Sequence, residues 1–421
     1  MASSLLHHFL LPSVLLLFSS SLCASQFPKS GYITLPTKLD PLTHQYYTSI
    51  GIGTPRHNMN LVIALDQNAL WYDCDSHYNS SSYTPVSCDD STYCPGQASG
   101  CFNCHGAPHK PGCTDNTCGY YAANPFVNAT PFFSGDLGKD LLYLPQVKIP
   151  RRFLSGCVVS DLRPNMLPLL GGLVKGSKGM LGFGRNSNLA LPIQISSIYN
   201  VIPKFAICLP SSEKSIGNVF IGGTPYGLNS VPNRVAFAIP ADPDSNEYFI
   251  NVNSIKIDGQ VVKVSGKGFN GTTKFSTLSN FSVLHGSIYK PFVKDFVTHA
   301  EAMKMKRVEA VKPFGACFDG KSIGRKNGVP DVPGVSLVLD ENQGVNYEIN
   351  GHNSMVEVNK DVMCLAFVDG GKETKTGIVI GGYQMEDRIL EFDLSTSILR
   401  FSNSLLLHYN ASCSNPSSLN F

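Results

Sequence analysis

Cysteine is the residue type whose spacing could carry most chemistry in this chain. Cys74, Cys88, Cys94, Cys101, Cys104, Cys113 and Cys118 crowd into one loop-rich stretch, while Cys157, Cys208, Cys317, Cys364 and Cys413 are spread widely. Cys101-x-x-Cys104-His105 with Cys113 has ligand types that could hold zinc; disulfide formation is the competing chemistry. The N-terminus bears on that choice. Residues 5–23 are a leucine-rich run, shorter than a comfortable membrane span, that ends in small residues at Cys23-Ala24-Ser25. This is the pattern of a secretory signal peptide occupying residues 1–25, which sends the chain into an oxidising route. Loss of Cys23 from the 13 cysteines leaves an even number, which favours six disulfides of open connectivity. Sequons at Asn79, Asn128, Asn270, Asn280 and Asn410 predict a glycoprotein. No metal or organic cofactor is expected.

The second stretch with chemical potential is Leu61-Val-Ile-Ala64-Leu-Asp66-Gln-Asn-Ala-Leu70-Trp71-Tyr-Asp-Cys74. It resembles the first catalytic segment of a pepsin-like aspartic protease, where an Asp-Thr-Gly tripeptide begins seven residues before the tryptophan; here Ala64 stands in that place. The lead-in Tyr46 to Pro55, the segment Gly179-Met-Leu-Gly-Phe-Gly184 and the segment Ile378-Val-Ile-Gly-Gly382 with Leu390-Glu-Phe-Asp393 extend the likeness. The matching second loop is Thr273-Lys-Phe-Ser276-Thr-Leu278, with Ser276 where aspartate is expected. Spacing is similar in the two halves, 64 to 182 and 276 to 381, as a duplicated lobe gives. Aspartic proteolysis needs two carboxylates that share one proton. Asp66 would have to shift by two residues and lacks a following glycine, and Asp295 is the only aspartate between Gly271 and Ala300. The chain is therefore expected to be no enzyme, with both catalytic aspartates replaced.

The elements that position these loops read as all-β: bilobal and pepsin-like, with two pseudo-equivalent β lobes around a central cleft. Aromatic residues at 10%, with 38 glycines and 27 prolines, suit short strands and many turns. Ser254 to Val262 alternates about Asp258-Gly259, a hairpin signal, so Asp258 is a turn residue. Ile288, Phe292, Phe296 and Ala300 recur at helical spacing and predict a helix over 288–303. The expected division is an N-terminal lobe over 26–209, with the cysteine-rich insertion, and a C-terminal lobe over 210–421. A formal net charge of +2 with 15% charged residues points to neither nucleic acid nor an acidic membrane surface. Arg151-Arg152 and Lys304 to Arg307 read as solvated surface.

The cysteine-rich run closing at Lys110-Pro-Gly-Cys113-Thr-Asp-Asn-Thr-Cys118-Gly119 makes the likeness more specific, together with Leu70 to Cys74, Gly315-Ala-Cys317-Phe and Asn353-Ser-Met-Val356. With twelve cysteines it resembles the plant extracellular dermal glycoprotein, basic 7S globulin and xylanase-inhibitor family over nearly the whole mature chain. The resemblance implies pairing of Cys317 with Cys364 and of Cys208 with Cys413. It implies a secreted, proteolytically inactive protein in the apoplast or cell wall, whose relatives include inhibitors of microbial glycoside hydrolases.

In family members that inhibit xylanases, a histidine shortly before the last cysteine enters the enzyme cleft. His408, five residues before Cys413, is the matching candidate, one residue further than the family spacing. Members that inhibit xyloglucan-specific endoglucanases present arginines in two loops; the corresponding positions here are Asn327 and Asn410, with Arg325 and Lys326 beside the first. The implied partner is a microbial glycoside hydrolase. A peptide-binding or storage globulin of the basic 7S type, recognising a small cysteine-rich peptide, is the alternative, and a divergent active aspartic protease is a third reading.

Overall fold

The computed structural model describes residues 26–414, apart from 75–77, 95–99, 105–107, 128–131, 160–167, 226–232, 239–241, 243 and 265–272. The expected signal peptide, His105, Asn128 and Asn270 lie outside the described residues.

The chain is mostly β, and the same strand order occurs twice. In the first half, strand His57–Ala64 runs parallel to Ser177–Gly182 with Ala64 opposite Gly182. Ser177–Gly182 is antiparallel to Trp71–Asp73, which in turn is parallel to Phe153–Val158. In the second half, Thr273–Phe275 runs parallel to Ile378–Ile380 with Phe275 opposite Ile380. Ile378–Ile380 is antiparallel to Ser282–Leu284, which is parallel to Phe367–Asp369. Each loop is tied to its crossing strand, in opposite directions: Phe183 N–H donates to the Ala64 carbonyl at 3.0 Å, whereas Ser276 N–H donates to the Ile380 carbonyl at 3.0 Å. Each crossing strand leads into a glycine that passes directly behind the loop. A Cβ on Gly182 would meet the carbonyls of Ala69 and Gln67, and one on Gly381 would meet the Phe281 carbonyl. Only glycine permits that approach.

The halves are joined by a sheet both supply, in the order Ile33–Leu39, Gly217–Ile221, Lys204–Cys208, Ile389–Asp393, Ile398–Phe401 and Arg234–Ala236. The expected division after 209 falls inside this sheet, because Gly217–Ile221 still pairs with first-half strands on both sides. Beneath the loops, Phe205 and Phe392 stack at 4.8 Å between ring centroids and Tyr248 meets Phe392 edge-on at 4.7 Å. On the sheet's other side the buried Glu391 takes Arg400 at 3.1 Å and Lys204 at 3.6 Å, so a carboxylate from the second half receives a cation from each half.

Local signals come out as read. Asp258 and Gly259 both have positive φ, 46° and 78°, in the turn between Ser254–Ile257 and Gln260–Val261. The helix spans Gly286–Ala302, and its four periodic residues Ile288, Phe292, Phe296 and Ala300 are all buried. Asp295 lies on this helix rather than in the second loop.

Candidate functional site

At the junction of the two halves, loop 64–66 and loop 276–278 touch through side chains. Thr277 Oγ1 accepts the Leu65 N–H at 3.2 Å and donates to the Ile63 carbonyl at 2.6 Å. The brace is one-sided, because Leu65, the residue at the matching place in the first loop, has no hydroxyl to return it. Ala64 and Ser276 are both buried. Ser276 Oγ donates to Asp66 Oδ2 at 3.2 Å and accepts the Leu278 N–H at 3.3 Å.

Asp66 reaches the second loop. The two-residue offset that set it aside on sequence grounds is closed by the turn of the loop, which brings its carboxylate to the second loop's serine. The residue is partly exposed, yet Oδ1 is buried without a hydrogen-bond partner. Loss of water raises its carboxyl above the ordinary carboxylate range, opposed by the Lys274 ammonium. Lys274 is itself ion-paired with Glu247. This arrangement offers one serine-bonded carboxylate, which can accept a donor but has no second free carboxylate among these residues with which to share a proton.

The two loops implied as inhibitory contacts are both on the surface. His408 is exposed on the short helix Leu405–Tyr409, which ends at Asn410 in the left-handed conformation with φ 49°. Arg325 and Lys326 are exposed on strand Gly324–Lys326, and Asn327 and Gly328 make the turn to Val329–Asp331 with φ 53° and 80°. Arg325 Nη1 donates to the Gly328 carbonyl at 2.9 Å, which stiffens the hairpin tip. Asp387 lies between these loops. Its carbonyl accepts the Leu405 N–H at 2.9 Å and its Oδ1 accepts the Cys413 N–H at 2.9 Å, while Oδ2 lies 3.6 Å from His352 Nε2. His352 belongs to the helical turn Gly351–Ser354, which packs against Pro330 of the hairpin. Asp387 carried no signal in the sequence.

Six disulfides bind the chain: Cys74–Cys157, Cys88–Cys101, Cys94–Cys118, Cys104–Cys113, Cys208–Cys413 and Cys317–Cys364. The cysteines considered as zinc ligands are thus used in two different bridges. Cys208–Cys413 ties the His408 turn to the shared sheet. Of the described sequons, Asn79 and Asn410 are exposed, whereas Asn280 is half-buried with its Oδ1 enclosed.

Two family models match in sequence order: xylanase inhibitor N-terminal over residues 46–223 and xylanase inhibitor C-terminal over residues 247–403. The chain is 39% identical to "Probable aspartic proteinase GIP2" of Nicotiana benthamiana, over 99% of this chain and 98% of that protein. It is 34% identical to "Gamma conglutin 1" of Prunus dulcis, over 98% and 97%. Among solved structures it is similar to edgp, with a TM-score of 0.81, 35% identity and coverage of 91% of this chain and 97% of that one. Soybean basic 7S globulin gives a TM-score of 0.78 at 28% identity, covering 93% and 99%. With the duplicated, pepsin-like strand order, the shared sheet and the six disulfides, these matches establish that the chain belongs to the xylanase-inhibitor family that includes basic 7S globulins and gamma conglutins.

Proposed function

We propose that this protein is exported and works by protein–protein recognition, inhibiting a microbial cell-wall glycoside hydrolase without proteolytic turnover. The observation that carries the reading is the exposed His408 on a turn held by Asp387 and by the Cys208–Cys413 bridge, joined through Gly351–Ser354 to the Arg325–Lys326 hairpin. Many glycoside hydrolases hold two carboxylates about 5 Å apart in a cleft, and a cation inserted between them would pair with both and block the sugar. A tip fixed by covalent and hydrogen-bonded supports loses little entropy on insertion. Absence of proteolysis is supported by Ala64 and Ser276 at the loop tips, with Asp66 as the single carboxylate that hydrogen-bonds across the junction.

The test is inhibition of microbial xylanases of families 10 and 11 and of a family 12 xyloglucanase by the purified chain, titrated to the stoichiometric point. Tight one-to-one inhibition is expected, and His408→Ala or Arg325→Ala should weaken it according to which loop enters the cleft. His408 leaves the account if His408→Ala inhibits a xylanase as well as the unaltered protein. The relatives named basic 7S globulin and gamma conglutin favour a second reading, a binding or storage globulin. It predicts no inhibition anywhere in the panel. Cleavage of a peptide substrate would refute both readings in favour of a divergent protease, the activity for which the Nicotiana benthamiana relative is named.

A further inference from the structure

On the outer side of the C-terminal half, helix Gly286–Ala302 borders a cavity of about 410 Å³, within the usual size of a small-molecule site. Tyr289, Val293 and Val297 give it an apolar lining, and Lys290, Lys294 and Arg307 are exposed around it. The lysines stand four residues apart on one helix face, an unfavourable spacing for like charges. Arg307 arrives from a different element, the strand Arg307–Val308, so the cluster is assembled by the fold. No ion pair or side-chain hydrogen bond engages any of the three cations among the described residues. The lining also holds one carboxylate, Asp369, whose Oδ1 accepts the Gly371 N–H at 2.9 Å; its single negative charge is outnumbered by the three cations. Tyr289 accepts the Gly315 N–H at 2.9 Å, which leaves its hydroxyl proton free to donate.

We propose that this cavity binds a small organic anion, a carboxylate or sulfate group carried on a compact body with an apolar face. The anionic group pairs with Lys290, Lys294 and Arg307, and the body lies against Tyr289, Val293 and Val297. Two kinds of molecule present this chemistry, acidic saccharides and aromatic acids. The site is separate from the loops of the inhibitory reading and does not depend on it.

The experiment is isothermal titration of the full mature chain at low ionic strength with digalacturonate, 2-naphthalenesulfonate and inorganic sulfate. One of the organic anions is expected to saturate one site per chain, at least about tenfold more tightly than sulfate, and the better of the two identifies the source. Lys290→Glu with Lys294→Glu should weaken it by about tenfold or more at an unchanged melting temperature, since charge-assisted contacts dominate such sites. Arg307→Ala, from the opposite wall, gives the same test if the double variant does not fold. Val293→Trp should also weaken binding by filling the apolar side. Equal or weaker affinity for the organic anions than for sulfate, or variants that bind like the unaltered protein, would overturn the proposal.

Discussion

Replacing Thr277 by valine tests how the two halves are held together at their junction. Valine keeps the branched shape and removes only the hydroxyl, which is fully buried. Two contacts disappear, the one from Leu65 N–H at 3.2 Å and the one to the Ile63 carbonyl at 2.6 Å. Leaving a buried donor or acceptor without its partner costs about 1–3 kcal/mol per group, and the added methyl recovers part of this, so the expected loss is about 2–4 kcal/mol. Thr277→Ser keeps the hydroxyl and gives up one methyl, worth about 1 kcal/mol. Trp71 is the only tryptophan, is buried, and lies in the same loop-bearing segment, so its fluorescence reports this region during denaturant unfolding. The valine variant should shift the midpoint well below that of the serine variant, with the slope preserved if the two halves still unfold together. A valine variant within about 0.5 kcal/mol of the unaltered protein, or a serine variant as damaged as valine, would refute the reasoning.

Burial raises the Asp136 carboxyl from 3.8 to about 6, against hydrogen bonds led by Thr114. Because the folded value exceeds the unfolded one, its contribution to stability is complete below about pH 4 and is lost as pH rises through about 6. Asp136→Asn should therefore flatten the pH–stability curve by about 2–3 kcal/mol between pH 4 and 7, measured as the difference between paired denaturation series; parallel curves would sink this account. Removing Cys208–Cys413 by a double alanine substitution releases a sequence separation of 205 and is expected to cost about 3–5 kcal/mol, read from thermal or denaturant unfolding under non-reducing conditions. The same variant should weaken any inhibition that uses His408, and unchanged inhibition would show that bracing the turn does not matter.

Several parts of the structure were legible because their causes lie within a few residues. Asp258-Gly259 announced a hairpin, and the four-residue recurrence from Ile288 to Ala300 announced a helix. The helix limits moved only slightly, to Gly286–Ala302. The contact of Asp66 is illegible in the sequence for a different reason. Linear distance from the Asp-Thr-Gly position does not measure where a carboxylate lies after a loop turns, and the Ser276 hydroxyl that meets it is contributed by the other half. Thr277 was visible as a hydroxyl beside Ser276, but nothing local tells that it braces Leu65 and Ile63. Arg307 belonged to a run read as solvated surface; it is exposed, yet it joins Lys290 and Lys294 around a cavity.

By itself the sequence determined the duplicated all-β plan, the crowding of seven cysteines into one stretch and the family resemblance, since these rest on residue identity and short-range periodicity. Tertiary structure alone decided four of the six disulfide pairings, the one-sided Thr277 brace, the approach of Asp66 to Ser276, the link through Asp387 and the three-cation cavity. Each of these is a meeting of groups from separate segments. Their distance in space is set by how strands cross and the halves pack, information that no single stretch of chain contains.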